Sequence, residues 1–279
     1  MQPSPPLTRD TINSTLATTW LGRRIELFDC LTSTNREAVQ FVQGDVEHGT
    51  VVVAESQSAG RGRLSRTWFS PPDVNLYCSI ILRTGRPPER LTEWLSWLPL
   101  VSALATAEAI EQVSSTHVSV KWPNDLLISE RKVGGILCES GTGTGSDAFQ
   151  IIGIGINVNG DEDDWPIDLR SAATSIWQER KMVVDRNRLL AQLLLELEHC
   201  LDELAIHGTS RLALAYGQRC STIGTTVRAT LAGGEVIVGL AEHIGHDGSL
   251  HIRPQTALAN SETPEIVTLR VADIIHVRT

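Results

Sequence analysis

Two apolar runs, KVGGILCES at 132–140 and FQIIGIGINV at 149–158, flank Gly-Thr-Gly-Thr-Gly at 141–145. Each run has the length and β-branched content of a buried strand, and the glycine-threonine stretch between them is a turn, so an antiparallel hairpin is expected. Similar short runs stand at 50–55 (TVVVAE), 75–83 (NLYCSIILR), 118–122 (VSVKW) and 125–129 (DLLIS). Helical spacing alternates with them. Ser33-Thr34-Asn35-Arg36-Glu37 offers a capping box, Thr34 capping and Glu37 reaching back, with Gly44 suited to the helix end. From Trp94 to Val113 the apolar positions keep helical spacing, which places Pro99 in the first turn or at a kink. Leu189, Leu190, Leu193, Leu194, Leu197, Leu201 and Leu204 share one face of a helix that Asp185 caps and Gly208 closes.

Beyond about Cys220 the pattern changes to short β runs, TVRATL, EVIVGLAEHI, SLHIR, EIVTLRV and IIHVR, separated by Gly-Gly, Asp-Gly and Asn-Ser-Glu turns. The fold class read from this order is α+β, a mixed-sheet domain followed by a small all-β barrel. Three segments result: a Pro-rich, mobile extension at 1–24, a main domain at 25–219 and the barrel at 220–279.

With 279 residues, 41% of them hydrophobic, the chain has material for about two cores. A formal net charge of -9 argues against binding nucleic acid or an anionic membrane through bulk charge. The five scattered cysteines form no CxxC pair and suit reduced thiols. The start, MQPSPPLTRD, lacks a basic-then-apolar signal, and no stretch has the roughly 18 apolar residues of a membrane helix. A soluble cytoplasmic protein is expected.

Chemistry concentrates in three places. Residues 54–70, AESQSAGRGRLSRTWFS, carry Arg61, Arg63 and Arg66 with Glu55 as the only carboxylate. Gly60 and Gly62 permit backbone N–H groups to approach a phosphate while the guanidiniums pair with its oxygens, although a bare GRGR also describes a solvated basic turn. Neither Gly60-Arg61-Gly62 nor Gly153-Ile154-Gly155 completes a dinucleotide fingerprint, and there is no P-loop. In Lys121-Trp122-Pro123-Asn124-Asp125 the proline stops a strand and poses Asn124 and Asp125 at its edge, as would a simple β-turn. Lys132 enters a strand just before Gly134 and Gly135, which leave room for a ligand; a solvated strand end reads the same. His243 and His246 beside Asp247-Gly248 lack further ligands and read as a solvated hairpin turn, and Asp161–Asp164 reads as an exposed acidic loop, so no protein-held metal is expected.

Taken in order, Ser33-Thr34-Asn35, Gln57 through Trp68 with Ser70-Pro71, KWPND, KVGGILCE and GIGINVN closely resemble the biotin–protein ligase family over about residues 25–279. The resemblance implies a mixed-sheet catalytic domain with a C-terminal SH3-like barrel. It also implies ATP-dependent formation of biotinoyl-AMP, with Mg²⁺ on the triphosphate, and transfer to a lysine of a biotin carboxyl carrier protein. The implied catalytic residues are Lys132, Arg61 and Asp125. Implied biotin contacts are Ser33, Thr34, Asn35, Gln57, Gly60, Arg61, Gly62, Arg63, Trp68, Lys132, Gly134 and Gly135. Arg61, Arg63, Arg66, Trp68, Asn124, Lys132 and Asn157 are the implied adenylate contacts, with the loop from Asn157 through Trp165 close by.

Ser65 departs from the family, many members having glycine there, which puts the local backbone path in question. Repressor members carry a winged helix-turn-helix before the catalytic domain; only about thirty residues precede Ser33 here, so no DNA partner is expected. Monomers and homodimers both occur in the family. Lipoate- or octanoyl-transferring enzymes share the architecture and are the closest competing reading, with a non-catalytic biotin or adenylate sensor the other.

Overall fold

The computed structural model describes residues 4–84, 91–143, 148–231, 233–255, 265–270 and 273–277. Strands β1 (Ile25–Leu31), β2 (Val51–Gln57), β3 (Leu76–Thr84), β4 (Ser119–Lys121), β5 (Asp125–Ile128), β6 (Arg131–Thr142) and β7 (Ala148–Ile156) build one sheet in the order β1-β2-β3-β7-β6-β5-β4. Only β1 and β2 run parallel, linked through helix α2 (Thr34–Val42); the other pairs are antiparallel. The expected hairpin is β6–β7, in register from Gly134↔Ile156 to Thr142↔Ala148, with residues 144–147 of its turn outside the described residues.

Alternation along the central strands separates two faces. Ile136, Ile152, Ile154 and Ile156 point into the main core with Val51, Val53, Cys78 and Ile80, beneath α3 (Leu91–Ser114). After the short helix α4 (Ile176–Arg180), helix α5 (Arg186–His207) packs its leucine face on α3, capped by Asp185 (Asn187 N to Oδ1, 2.9 Å) and closed by Gly208 at φ 76°. Pro99 lies inside the continuous helix α3, beyond the first turn that the spacing offered as one place for it. On the opposite face α2 covers Val52, Ile81, Phe149 and Ile151.

The capping box expected at residues 34–37 does not form. Ser33 is the N-cap and makes no side-chain cap bond, while Thr34 sits inside the helix with its hydroxyl turned toward Gln57. A polar neighbour from another strand outcompetes the local bond, which a reading of local sequence has no means of seeing.

The N-terminal segment is also not the mobile extension expected. Leu7, Ile12 and Leu21 are buried in the main core, and helix α1 (Arg9–Thr15) lies along α5. The reason is the polar start of α5. Arg186, fully buried, pairs with Glu55 (2.5 Å) and donates to the carbonyls of Asn75 and Pro5, while Asn187 donates to the carbonyl of Pro6 and receives the Thr8 amide. Prolines offer carbonyls without a competing N–H, so a Pro-rich strand serves these buried donors. Farther along, the Glu198 carboxylate accepts the amides of Thr19, Trp20 and Leu21.

After α6 (Ser210–Arg219), a helix not anticipated from the sequence, the chain joins the first sheet briefly (Ser221 N to Val120 O, 2.9 Å) and enters a second one. Strands β8 (Thr226–Thr230), β9 (Val236–Ile244), β10 (Leu250–Pro254), β11 (Val267–Leu269) and β12 (Asp273–His276) form an antiparallel sheet in the order β11-β10-β9-β8-β12, the small SH3-like unit. The Asn-Ser-Glu turn lies outside the described residues. The β9–β10 turn, expected to be solvated, is docked through its backbone: Trp97 Nε1 donates to the carbonyl of His246 (2.7 Å) and Trp122 Nε1 to that of Gly248 (3.0 Å). The His243 and His246 side chains remain exposed.

Candidate active site

On the α2 face of the sheet a cavity of about 240 Å³ opens beside that helix. Its floor exists because of missing side chains: Gly135 and Gly155 are register partners, as are Leu137 and Gly153, and all four point into it. A Cβ at Gly155 would stand 2.7 Å from the Trp68 indole, and one at Gly153 2.1 Å from Asn35 Oδ1.

Trp68 reaches this floor from the loop that follows β2. The loop closes on itself through Trp68 N to Gly60 O (2.9 Å) and Gly62 N to Arg66 O (2.7 Å). Gly60 has no room for a Cβ, which would meet the carbonyl of Trp68 at 2.4 Å. At the tip, Leu64 (φ 53°) and Ser65 (φ 61°) are both left-handed, a conformation that costs a non-glycine residue roughly 1–2 kcal/mol. The serine thus takes the backbone path that glycine takes freely.

One wall is a continuous polar chain. The Gln57 amide receives the Thr34 backbone N–H (2.9 Å) and hydroxyl (3.3 Å) and donates to Ser70 (2.9 Å), which donates to the carbonyl of Trp68 (3.0 Å). The buried hydroxyl of Ser79 on β3 lies 2.8 Å from Thr34 Oγ1 and donates to Asn35 Oδ1 at 2.6 Å. Asn35 Nδ2 donates to the carbonyl of Leu137 (3.2 Å) and to Glu139 (2.8 Å). Ser33 lines the cavity at the same helix start.

The cations stand at the open side, each with a partner. Lys132 Nζ is 2.5 Å from Asp125 Oδ1 and 5.4 Å from the centre of the Trp68 ring, a cation–π distance. Arg61 pairs with Glu139 (2.9 Å), and Arg63 donates to Asn124 Oδ1 (2.8 Å). Arg66 is exposed at the rim. Asn157 ties the end of β7 to the next segment, donating to the carbonyl of Thr174 (3.0 Å), and Trp165 from that segment lines the same cavity. Burial pushes the thiols of Cys78 and Cys138 up to about 12, so neither strand offers a thiolate nucleophile at neutral pH.

The residues singled out in the sequence therefore converge, with two exceptions. Gly134 faces the other way, where a Cβ would meet Leu126 at 2.7 Å, and Gly60 supports the loop without lining the cavity. Residues 27–159 match the model of the biotin/lipoate A/B protein ligase family. The bifunctional ligase/repressor BirA of Bacillus spizizenii is 33% identical over 260 residues, covering 93% of this chain and 78% of that protein. The chain belongs to the biotin protein ligase family. The biotin--[acetyl-CoA-carboxylase] ligase of Mycobacterium tuberculosis, another relative, is 29% identical over 276 residues, 98% of this chain and 97% of that one. Among solved structures, the biotin protein ligase from Aquifex aeolicus in complex with biotin and ATP superposes with a TM-score of 0.76 at 26% identity, over 91% of this chain and all of that one.

Within this ligase fold, sequence reasoning assigned no part to Ser79, Glu139 or Ile274. Ser79 was detectable as the lone polar side chain in the middle of an apolar strand run. Glu139 was detectable by counting in twos from Gly135 through Leu137 along one strand face. Ile274 lines the cavity from β12 of the second sheet, and nothing local in the sequence announces it.

Proposed function

We propose that the chain activates biotin with ATP to biotinoyl-5'-AMP and transfers biotin to a lysine of a biotin carboxyl carrier protein, in the cytoplasm. The observation that carries this reading is one cavity in which a polar wall, an apolar glycine floor and five basic side chains, Arg61, Arg63, Arg66, Lys121 and Lys132, meet. Biotin has matching parts: a ureido ring, an apolar body and a carboxylate. Ser33, Thr34, Asn35 and Gln57 would meet the ring, and Gly135 with Trp68 the body, while Gly62 would give the backbone a close approach; Gly60 would act by shaping the loop and Gly134 by packing on Leu126.

In the first step the carboxylate oxygen bonds to the α-phosphorus of ATP as the bond to pyrophosphate breaks. Both reactants are anions, so Arg61 and Arg63 would offset their repulsion and Lys132 would stabilise the charge developing at phosphorus. Arg66, Trp68, Asn124 and Asn157 would hold the nucleotide, and the segment through Trp165 would shield the anhydride from water. Mg²⁺ would enter with the triphosphate; the Asp125 carboxylate and Asn124 amide are oxygen donors of the kind a hard cation accepts.

In the second step the carrier amine attacks the acyl carbon, AMP leaves, and Asp125 takes up the amine proton. Residues 25–219 would form the catalytic unit, with the barrel at 220–279 assisting ATP or carrier binding and 1–24 serving as a packed extension. The acidic net charge supports a ligase acting without DNA, as monomer or homodimer, and no described helix is long and apolar enough to cross a membrane.

The test is a competition: protein, Mg-ATP and equimolar biotin and lipoate, quenched and analysed by mass spectrometry. Predominant biotinoyl-AMP is the expected result. Lipoyl-AMP would overturn the substrate, and no adenylate from folded protein would favour a non-catalytic sensor.

A further inference from the structure

The Asn35 amide has its polarity fixed by its neighbours. The carbonyl of Leu137 and the carboxylate of Glu139 only accept, so the amide nitrogen faces them, and Oδ1 is turned toward the Ser79 hydroxyl. What Asn35 has left to offer the cavity is the second lone pair of Oδ1, an acceptor suited to a ureido N–H. The Gln57 amide is oriented in the same manner, since the Thr34 backbone N–H can only donate to its oxygen. Glu139 does a second thing with the same carboxylate. It lies 2.9 Å and 3.2 Å, through its two oxygens, from Arg61 Nη1, and so joins the start of α2 to the arginine loop. That ion pair is half-exposed (45% and 27%), weak enough for a substrate anion to replace Glu139 on Arg61.

We propose that Glu139, backed by Ser79, is a positioning residue for biotin: it sets the Asn35 amide to accept, and it holds Arg61 at the cavity until the substrate carboxylate takes its place. The inference rests on the biotin ligase reading. It makes Glu139 and Ser79 specificity residues acting through Asn35, with Glu139 also preorganising the loop.

The experiment compares wild type, Glu139→Gln and Ser79→Ala in steady-state biotinoyl-AMP formation. In parallel, limited trypsin digestion reads cleavage after Arg61, Arg63 and Arg66 in ligand-free and biotin-saturated protein, and thermal melts confirm folding. Glu139→Gln is expected to raise KM for biotin about tenfold, the scale of one charge-assisted hydrogen bond, with kcat within about threefold. Its ligand-free loop is cleaved faster than in wild type, and biotin restores protection. Ser79→Ala raises KM similarly and leaves loop cleavage unchanged, which keeps the Asn35 part testable even where Glu139→Gln folds poorly. Unchanged KM in both variants overturns the proposal, as does a kcat loss at constant KM in Glu139→Gln. Wild type that forms no biotinoyl-AMP counts against the functional reading instead, so the two failures are distinct.

Discussion

Lys132 is held between a carboxylate and an indole, Asp125 at 2.5 Å and the Trp68 ring at 5.4 Å. This clamp aims the ammonium at the cavity and leaves it exchangeable, because a side chain one-third exposed keeps access to water. Lys132→Ala should lower adenylate formation by a factor on the order of 10²–10³, the usual loss for a group stabilising developing charge. Its melting temperature should stay close to that of wild type. Pyrophosphate release checks the first point, and near-normal release removes Lys132 from the chemistry. The proposed mechanism gives Asp125 a different task. Once an anion has drawn Lys132 away, its carboxylate is free to accept a proton, so Asp125→Asn should slow lysine transfer more than adenylation. Single-turnover transfer from preformed adenylate separates the two, and equal losses contradict the role.

The beginning of α5 shows how an element depends on a distant piece of chain. Arg186 is fully buried, and its donors are met by Glu55, the Asn75 carbonyl and the proline segment at the N-terminus. The Leu7 amide donates to the same Glu55 carboxylate at 3.0 Å, so one acidic side chain joins β2, α5 and the extension. Removing one partner of a buried pair leaves the other charge without compensation, at a cost of about 3–5 kcal/mol. Glu55→Gln should destabilise the protein by an amount in that range, measured by urea unfolding. A change below 1 kcal/mol would show that the extension and α5 do not depend on the pair.

Seen as a whole, the two sheets are locked through the KWPND corner. Trp122 closes on the carbonyl of Gly248 and donates its own backbone N–H to the hydroxyl oxygen of Thr222 at 3.1 Å, while Trp97 secures His246. Because the same corner carries Asn124 and Asp125 into the cavity, and Ile274 lines it from β12, the barrel is part of the site's frame. Truncation after Arg219 should therefore lower both thermal stability and biotin transfer, by more than tenfold for transfer since buried Trp97 and Trp122 would lose their acceptors. A truncated protein with full transfer would refute this dependence.

Periodicity, caps and turn residues were enough to place the long elements, since β2, β3, the β6–β7 hairpin, α3, α5 and the β runs after Cys220 each announce themselves within their own residues. The arginine loop, KWPND and KVGG were legible as candidate chemistry for the same reason: each packs its glycines, cations or carboxylate into a few adjacent positions. What the sequence left open depended on partners far along the chain. Thr34 abandoned its cap for Gln57, the proline segment was claimed by Arg186 and Asn187, and Arg61 and Asn35 met on Glu139. Local sequence determines what a segment is able to form. Only the tertiary structure decides which buried donor meets which acceptor, because that depends on which groups lose water together.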